Sequence, residues 1–410
     1  MMKELQKKYA EVILKNCLKL EKNQPLFISA NVERRDFVRI VANVAYEIGV
    51  KDIYFDISDP YLKHDALLNL TTEELKKTEL YNKEIWSEYA RRGAAFLMLA
   101  SEMPGLMKDI EPKKANEISM YAFQTRKEFN DMRDKSMVPW CIAAVPTETW
   151  AKELFPDSNS PVDELWDKIF TVCNIKEKDP VAVWNKKIEL LEKRSEKLTN
   201  YKFQKLIYKN SKGTDFEIEL PETHIWCSGA EKLKNGKTVL VNFPTEEVFT
   251  SPLKNSANGI VYSSKPLAYQ GVIINDFSIT FKDGQAISSS AKSGAEMLNE
   301  MIHSCENSDY LGEIALVENS SEINRLNIVF QETLFDENAS CHLALGESFS
   351  ECIDDGPNKT KEELIELGLN KSDNHVDFMI GTEDLSIIGI TKDNKKIEIF
   401  KDGNFTQLFK

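Results

Sequence analysis

A change of period near residue 200 constrains this fold more than any other feature. Before it, helix-period and strand-period segments alternate; after it, short strands follow one another through tight turns. Glu4–Leu20 places Leu5, Tyr9, Val12, Ile13 and Leu20 on a helical stripe, Pro25–Ala30 is a short apolar strand, and Phe37–Ile48 returns to helix. Asp52–Ile57 alternates Ile53, Phe55 and Ile57 as a strand does. Thr71 and Glu74 then stand at capping-box spacing ahead of another helix, and Ala94–Ala100 reads as a buried strand. Strands joined through helices pair in parallel, because the helix supplies the crossover.

Ser160-Pro161 and Asp179-Pro180 each put a capping residue before a proline at the first helical position, the second opening a helix over Val181–Leu198. Beyond Tyr201, Phe216, Ile218 and Leu220 alternate after the Ser211-Lys212-Gly213 turn, and Asp283-Gly284 is a hairpin signal. Asp393-Asn394 and Asp402-Gly403 mark further turns. The expected architecture is an α/β N-terminal domain with a largely parallel sheet and a helical connector over 1–195. A strand-rich α+β domain over 196–410 follows. No internal repeat, Walker loop or GxGxxG is present.

The 410 residues are 42% hydrophobic and 29% charged, ordinary for a folded chain and unlike a disordered one. A formal charge of −14 argues against a nucleic-acid partner, since phosphate binding needs a basic surface. No apolar run approaches the ~20 residues of a membrane helix, so no membrane partner is expected. The N-terminus, Met-Met-Lys-Glu-Leu-Gln-Lys-Lys-Tyr, lacks the apolar stretch of a signal peptide. The seven cysteines are widely spaced without a Cys-x-x-Cys, which reads as reduced thiols in a cytoplasmic protein.

Of five histidines, His342 and His375 sit in dense polar company. His375-x-Asp377 puts two metal-competent side chains on one face of a strand, although a surface strand would read the same. Glu246 and Glu247 follow Pro244-Thr245 at a strand end, where adjacent carboxylates also suit a solvated loop. Glu313 interrupts the apolar run Tyr310–Val317; buried, it would need a partner or a metal. Carboxylates mixed with imidazoles are too hard a set for structural zinc and suit divalent ions at a hydrolytic two-metal centre.

These segments resemble those of the metallo-aminopeptidases that include aminopeptidase T, aminopeptidase S and PepS. Asn242–Thr250, Leu311–Val317, Asp336–Gly346 and His375–Gly381 look like that family's four metal segments, in order and at fitting separations. Ser101–Pro104, Trp140, Pro146-Thr147, Trp150-Ala151 and Asp179–Trp184 extend the likeness into the first half. The resemblance implies Glu247, Glu313, His342, His375 and Asp377 as ligands of two divalent ions (Zn, Co, Mn or Mg). It makes the second domain the catalytic one, releasing N-terminal residues from short peptides, and implies a homodimer. Glu246, or a ligand carboxylate sharing its charge, is the candidate proton carrier. The family's tyrosine, seven residues after the motif histidine, is here Phe349. That departure sustains an alternative, a catalytically weak or inactive peptide- or metal-binding homologue. A metal-independent glycosidase using Glu246 or Glu247 would leave His342 and His375 idle.

Overall fold

The computed structural model describes residues 1–410 apart from 102 and 271, and also leaves the side chains of 79–83, 112 and 116 undescribed. The Ser101–Pro104 landmark therefore lies partly outside the described residues. The chain divides into two units. One comprises Met1–Lys186 with Ala230–Pro244; the other comprises Lys187–Gly229 with Thr245–Lys410.

In the first unit a parallel sheet runs in the order Ile53–Ser58, Leu26–Asn31, Ala95–Ala100, Trp140–Ala144, Asn242–Phe243. Helices Arg35–Ile48 and Thr72–Arg91 supply the first two crossovers. The second starts where the capping box places it: Thr71 Oγ1 accepts from Glu74 N–H at 3.3 Å, and Glu74 Oε2 accepts from Thr71 N–H at 2.9 Å. Aromatic rings fill the space beneath the sheet, with Phe27 4.4 Å from Trp86 and Phe96 4.5 Å from Phe129 between centroids. The helix expected over Glu4–Leu20 is α-helical only over Met2–Val12, then widens to a π turn at Ile13–Cys17. That turn buries Asn16, whose amide donates to Val181 O and Asn185 Oδ1.

The division differs from a single cut at 195 in two respects. Helix Pro180–Tyr201 runs through that point unbroken. The expected strand Thr238–Phe243 is two: Thr238–Leu240 pairs with Ala230–Lys232, and Asn242–Phe243 adds a parallel edge to Trp140–Ala144. An apolar run announces a strand but not the sheet edge it joins.

The second unit holds two antiparallel sheets. The larger contains the hairpin Val272–Lys282 with Gln285–Ser293, turned by Asp283 and Gly284 at φ +50° and +89°, as a type I′ turn requires. The smaller runs His375–Met379, His342–Gly346, Leu311–Leu316, Val248–Thr250, Cys227–Ser228. Its Ile314, Leu343 and Leu345 pack into one core with Phe203, Phe216 and Ile387 of the larger sheet.

His224, 1% exposed, hydrogen-bonds Pro221 O through Nδ1, while Nε2 is buried with no hydrogen-bond partner among the described residues. Burial pushes its pKa down to about 4. The unfolded chain takes up this proton near pH 6.5 and the folded chain only near 4. The resulting stability is complete above about pH 6.5 and lost as pH falls to 4, roughly 3 kcal/mol in all. His224→Asn should therefore lose less on acidification, and its gap to the parent in urea unfolding should narrow from pH 7 to 4. A constant gap would refute the assignment.

Candidate metal centre

The smaller sheet brings the site together by register. Glu313, Ala344 and Asp377 form one row across three strands, and His375 lies opposite Gly346. A bulge between Leu311 and Glu313 re-aims the glutamate. Gly312 permits it: a Cβ there would meet Glu347 O at 2.1 Å. At Gly346, φ is +108° and a Cβ would meet Asn374 O at 1.9 Å, so only glycine lets the strand carrying His375 come this close. Glu247 enters from the segment leading into Val248–Thr250.

Two triads result. Ligand atoms of Glu247, Glu313 and His342 lie within 4.8 Å of one another, as do those of Glu313, His375 and Asp377. Glu313 is common to both, and Glu247, Glu313 and His342 are 6%, 4% and 1% exposed. Both imidazoles are held alike. His375 Nδ1 meets Glu347 O at 2.9 Å and His342 Nδ1 meets Ser340 O at 3.3 Å. Each Nε2 is left facing carboxylates: His375 toward Glu313 Oε2 at 3.1 Å, His342 toward Glu247 Oε2 at 3.4 Å. With Nδ1–H donated to a backbone carbonyl, a neutral ring presents its Nε2 lone pair, the arrangement of a metal-ligating histidine.

Electrostatics point the same way. Burial, with repulsion from Glu313 and Asp377, pushes Glu247 up to about 8 against the pull of His342. Glu337, inside the Asp336–Gly346 segment but not among the expected ligands, feels the same cluster. Burial and the charges of Glu247, Asp377 and Glu313 hold its carboxyl well above the usual range. Burial opposes charge on both imidazoles, but Asp377 and Glu313 raise His375 well above its ordinary value, and Asp377, Glu247 and Glu313 raise His342. Asp377 resists burial and is held down to about 2 by His375 and His342. Its buried Oδ1 lies 3.3 Å from His375 Nε2. Buried, mutually repelling carboxyls and two imidazoles whose Nε2 atoms face them fit divalent cations, which would take the place of protons there.

Glu246 is not brought into this cluster. Its carboxylate pairs with Lys187 Nζ at 2.8 Å, and its N–H is donated to Asn338 Oδ1 at 2.7 Å. The neighbour whose carboxyl faces the cluster is Glu337, on the short turn Glu337–Ala339. Phe349 does reach the site: its ring lies 4.8 Å from that of His375 and edge-on to Phe249 at 5.6 Å.

Known proteins resemble this chain over nearly its whole length. The family described as thermophilic metalloprotease (M29) matches residues 2–405. Aminopeptidase 2 of Geobacillus stearothermophilus is 38% identical over 407 residues, 98% of either chain. Aminopeptidase AmpS of Bacillus subtilis is 36% identical over 97% of each. The solved structure of wild-type AmpT from Thermus thermophilus superposes with a TM-score of 0.90 at 30% identity, covering 99% of this chain and 100% of that one. The α/β first unit and strand-rich second unit are the architecture it shares. Matched from end to end in sequence and fold, the chain belongs to the thermophilic metalloprotease (M29) family and is a hydrolase of the metallo-aminopeptidase class.

Proposed function

We propose that this chain releases N-terminal residues from short peptides at a centre of two divalent ions. Glu247, Glu313 and His342 would hold one ion, and Glu313, His375 and Asp377 the other. The observation that carries the reading is the pair of triads sharing Glu313. Ions bound there supply Lewis acidity, which acidifies water and offsets the negative charge of a tetrahedral carbonyl adduct. The protein's part is preorganisation. Glu347 O and Ser340 O fix the imidazole tautomers, and the buried strands Leu311–Leu316 and His342–Gly346 hold the carboxylates rigidly. Glu337, whose carboxyl is raised by burial and by the neighbouring carboxylates, is the group proposed to carry a proton to the departing amine. This role replaces the one expected of Glu246, which Lys187 neutralises.

A second reading, a homologue that binds peptide or metal but turns over weakly, is favoured by Phe349 alone. One experiment addresses both. Chelated protein is titrated with Zn, Co, Mn and Mg against a panel of short peptides, each free or N-acetylated, and released amino acid is measured. Metal should restore release from the free peptides, and acetylation should remove at least nine-tenths of it. Equal cleavage of blocked and free peptides would sink the aminopeptidase reading, and no release with any ion would favour the weak homologue. The seven cysteines are all free, which fits the reducing cytoplasm as the place of action. The homodimer implied by the resemblance belongs to this reading and is checked by sedimentation.

A further inference from the structure

A pair of thiols adjoins the metal centre and has no part in the chemistry above. Segment 223–227 runs antiparallel to 351–354. Asp354 N–H is donated to Thr223 O at 3.0 Å, Ile225 N–H to Cys352 O at 2.7 Å, and Cys227 Sγ–H to Glu351 O at 3.3 Å. This pairing sets the Cys227 and Cys352 thiols within hydrogen-bonding reach of each other. Cys352 is 0% exposed, whereas Cys227 is half-buried and open to small solutes. Cys17, Cys141, Cys173 and Cys341 are buried, and Cys305, the other half-buried thiol, contacts Ser372 Oγ. Cys227 is thus a thiol that solvent reaches and that has a second thiol beside it.

The pair is tied to the site from both sides. Cys227 stands opposite Phe249 in the sheet, and Phe249 packs edge-on against Phe349. Cys352 ends the turn Ser350–Cys352, which Phe349 opens and which carries that ring on His375. Cys352 also feels the charge of Glu313.

We propose that Cys227 and Cys352 form an oxidative modification site at which a peroxide makes a reversible disulfide. Peroxide oxygen is transferred to the accessible Cys227 sulfur, giving a sulfenic acid and one water. Cys352 sulfur then attacks the Cys227 sulfur, the S–O bond breaks, and the hydroxyl leaves as a second water with the Cys352 proton. Two thiols and one hydrogen peroxide thereby become one disulfide and two waters. Burial pushes the Cys352 thiol up, so its attack on the sulfenic acid quickens as pH rises. Drawing Cys352 toward Cys227 moves the turn beneath Phe349, and oxidation should therefore lower turnover.

The test treats the metal-loaded protein with hydrogen peroxide, blocks free thiols and maps peptides by mass spectrometry without reductant. A Cys227–Cys352 cross-link is expected, lost on dithiothreitol and absent from both Cys227→Ser and Cys352→Ser. Cys305→Ser should still form it. Recovery of Cys227 only as sulfinic acid, or linked to another cysteine, would overturn the proposal. The mapping needs no activity, so it stands or falls apart from the peptidase reading. In parallel, peptide release should fall at least twofold on oxidation and return with dithiothreitol, and Cys227→Ser should resist. A quantitative cross-link with unchanged release would overturn the coupling to the site.

Discussion

Glu313→Gln is expected to strip both ions from the centre and to lower kcat/KM by at least about 10³, since one oxyanion donor alone is worth about 10²–10³ and here the activated nucleophile goes as well. The size follows from position. Every other candidate ligand belongs to one triad, whereas Glu313 belongs to both. The substitution keeps the volume of a side chain that is 4% exposed, so the fold should survive. Thermal unfolding separates a lost site from a lost fold. In chelator, parent and variant should melt within a few degrees of each other. With an ion at about 100 times its Kd, the parent should gain roughly 2.7 kcal/mol and the variant almost nothing. Two equivalents of metal and parental turnover in the variant would refute the shared-ligand geometry.

His342→Ala should behave differently from Glu313→Gln, because it touches one triad. That asymmetry is not legible in the chain, where Glu313 is one carboxylate interrupting an apolar run. What could be read were features written in a local period or an end signal. The Thr71–Glu74 box, the prolines at 161 and 180 and the Asp283-Gly284 turn all stand where backbone chemistry requires them. His375-x-Asp377 is also local, because alternation along a strand sets both residues on one face.

The misplacements share a different cause. Thr238–Phe243 reads as one strand and forms two, because the pairing of Asn242–Phe243 with Trp140–Ala144 is decided by a partner about a hundred residues away in the chain. Glu246 and Glu247 are adjacent and chemically equal. Lys187 on the long helix claims one of them, and the sheet claims the other. Glu337 lies in a three-residue turn with no period to betray it. Its signal is only that it sits five residues before His342, a spacing that acquires meaning once the turn is seen to fold back over the cluster.

Phe349→Tyr should raise kcat at least about tenfold while leaving metal affinity nearly unchanged. The ring is already seated, held against His375 at 4.8 Å and Phe249 at 5.6 Å, and its N–H is donated to Ser251 Oγ at 3.0 Å. A hydroxyl added to this ring costs little ordering entropy, because two aromatic neighbours and a backbone hydrogen bond have fixed its plane. A preorganised donor at a developing oxyanion is worth about 10²–10³ in rate. A tenfold gain therefore asks for only part of that range and allows for imperfect aim. The gain should fall on kcat rather than KM, since the interaction strengthens as charge develops on the substrate oxygen. Metal affinity should hold because phenylalanine contributes no ligand atom and tyrosine would replace none. If the variant carries two ions and shows no gain on any free peptide, the ring does not aim at the reacting carbonyl. Phe349 would then be a wall of the site that keeps water from His375, and the family tyrosine's role could not be carried to this position.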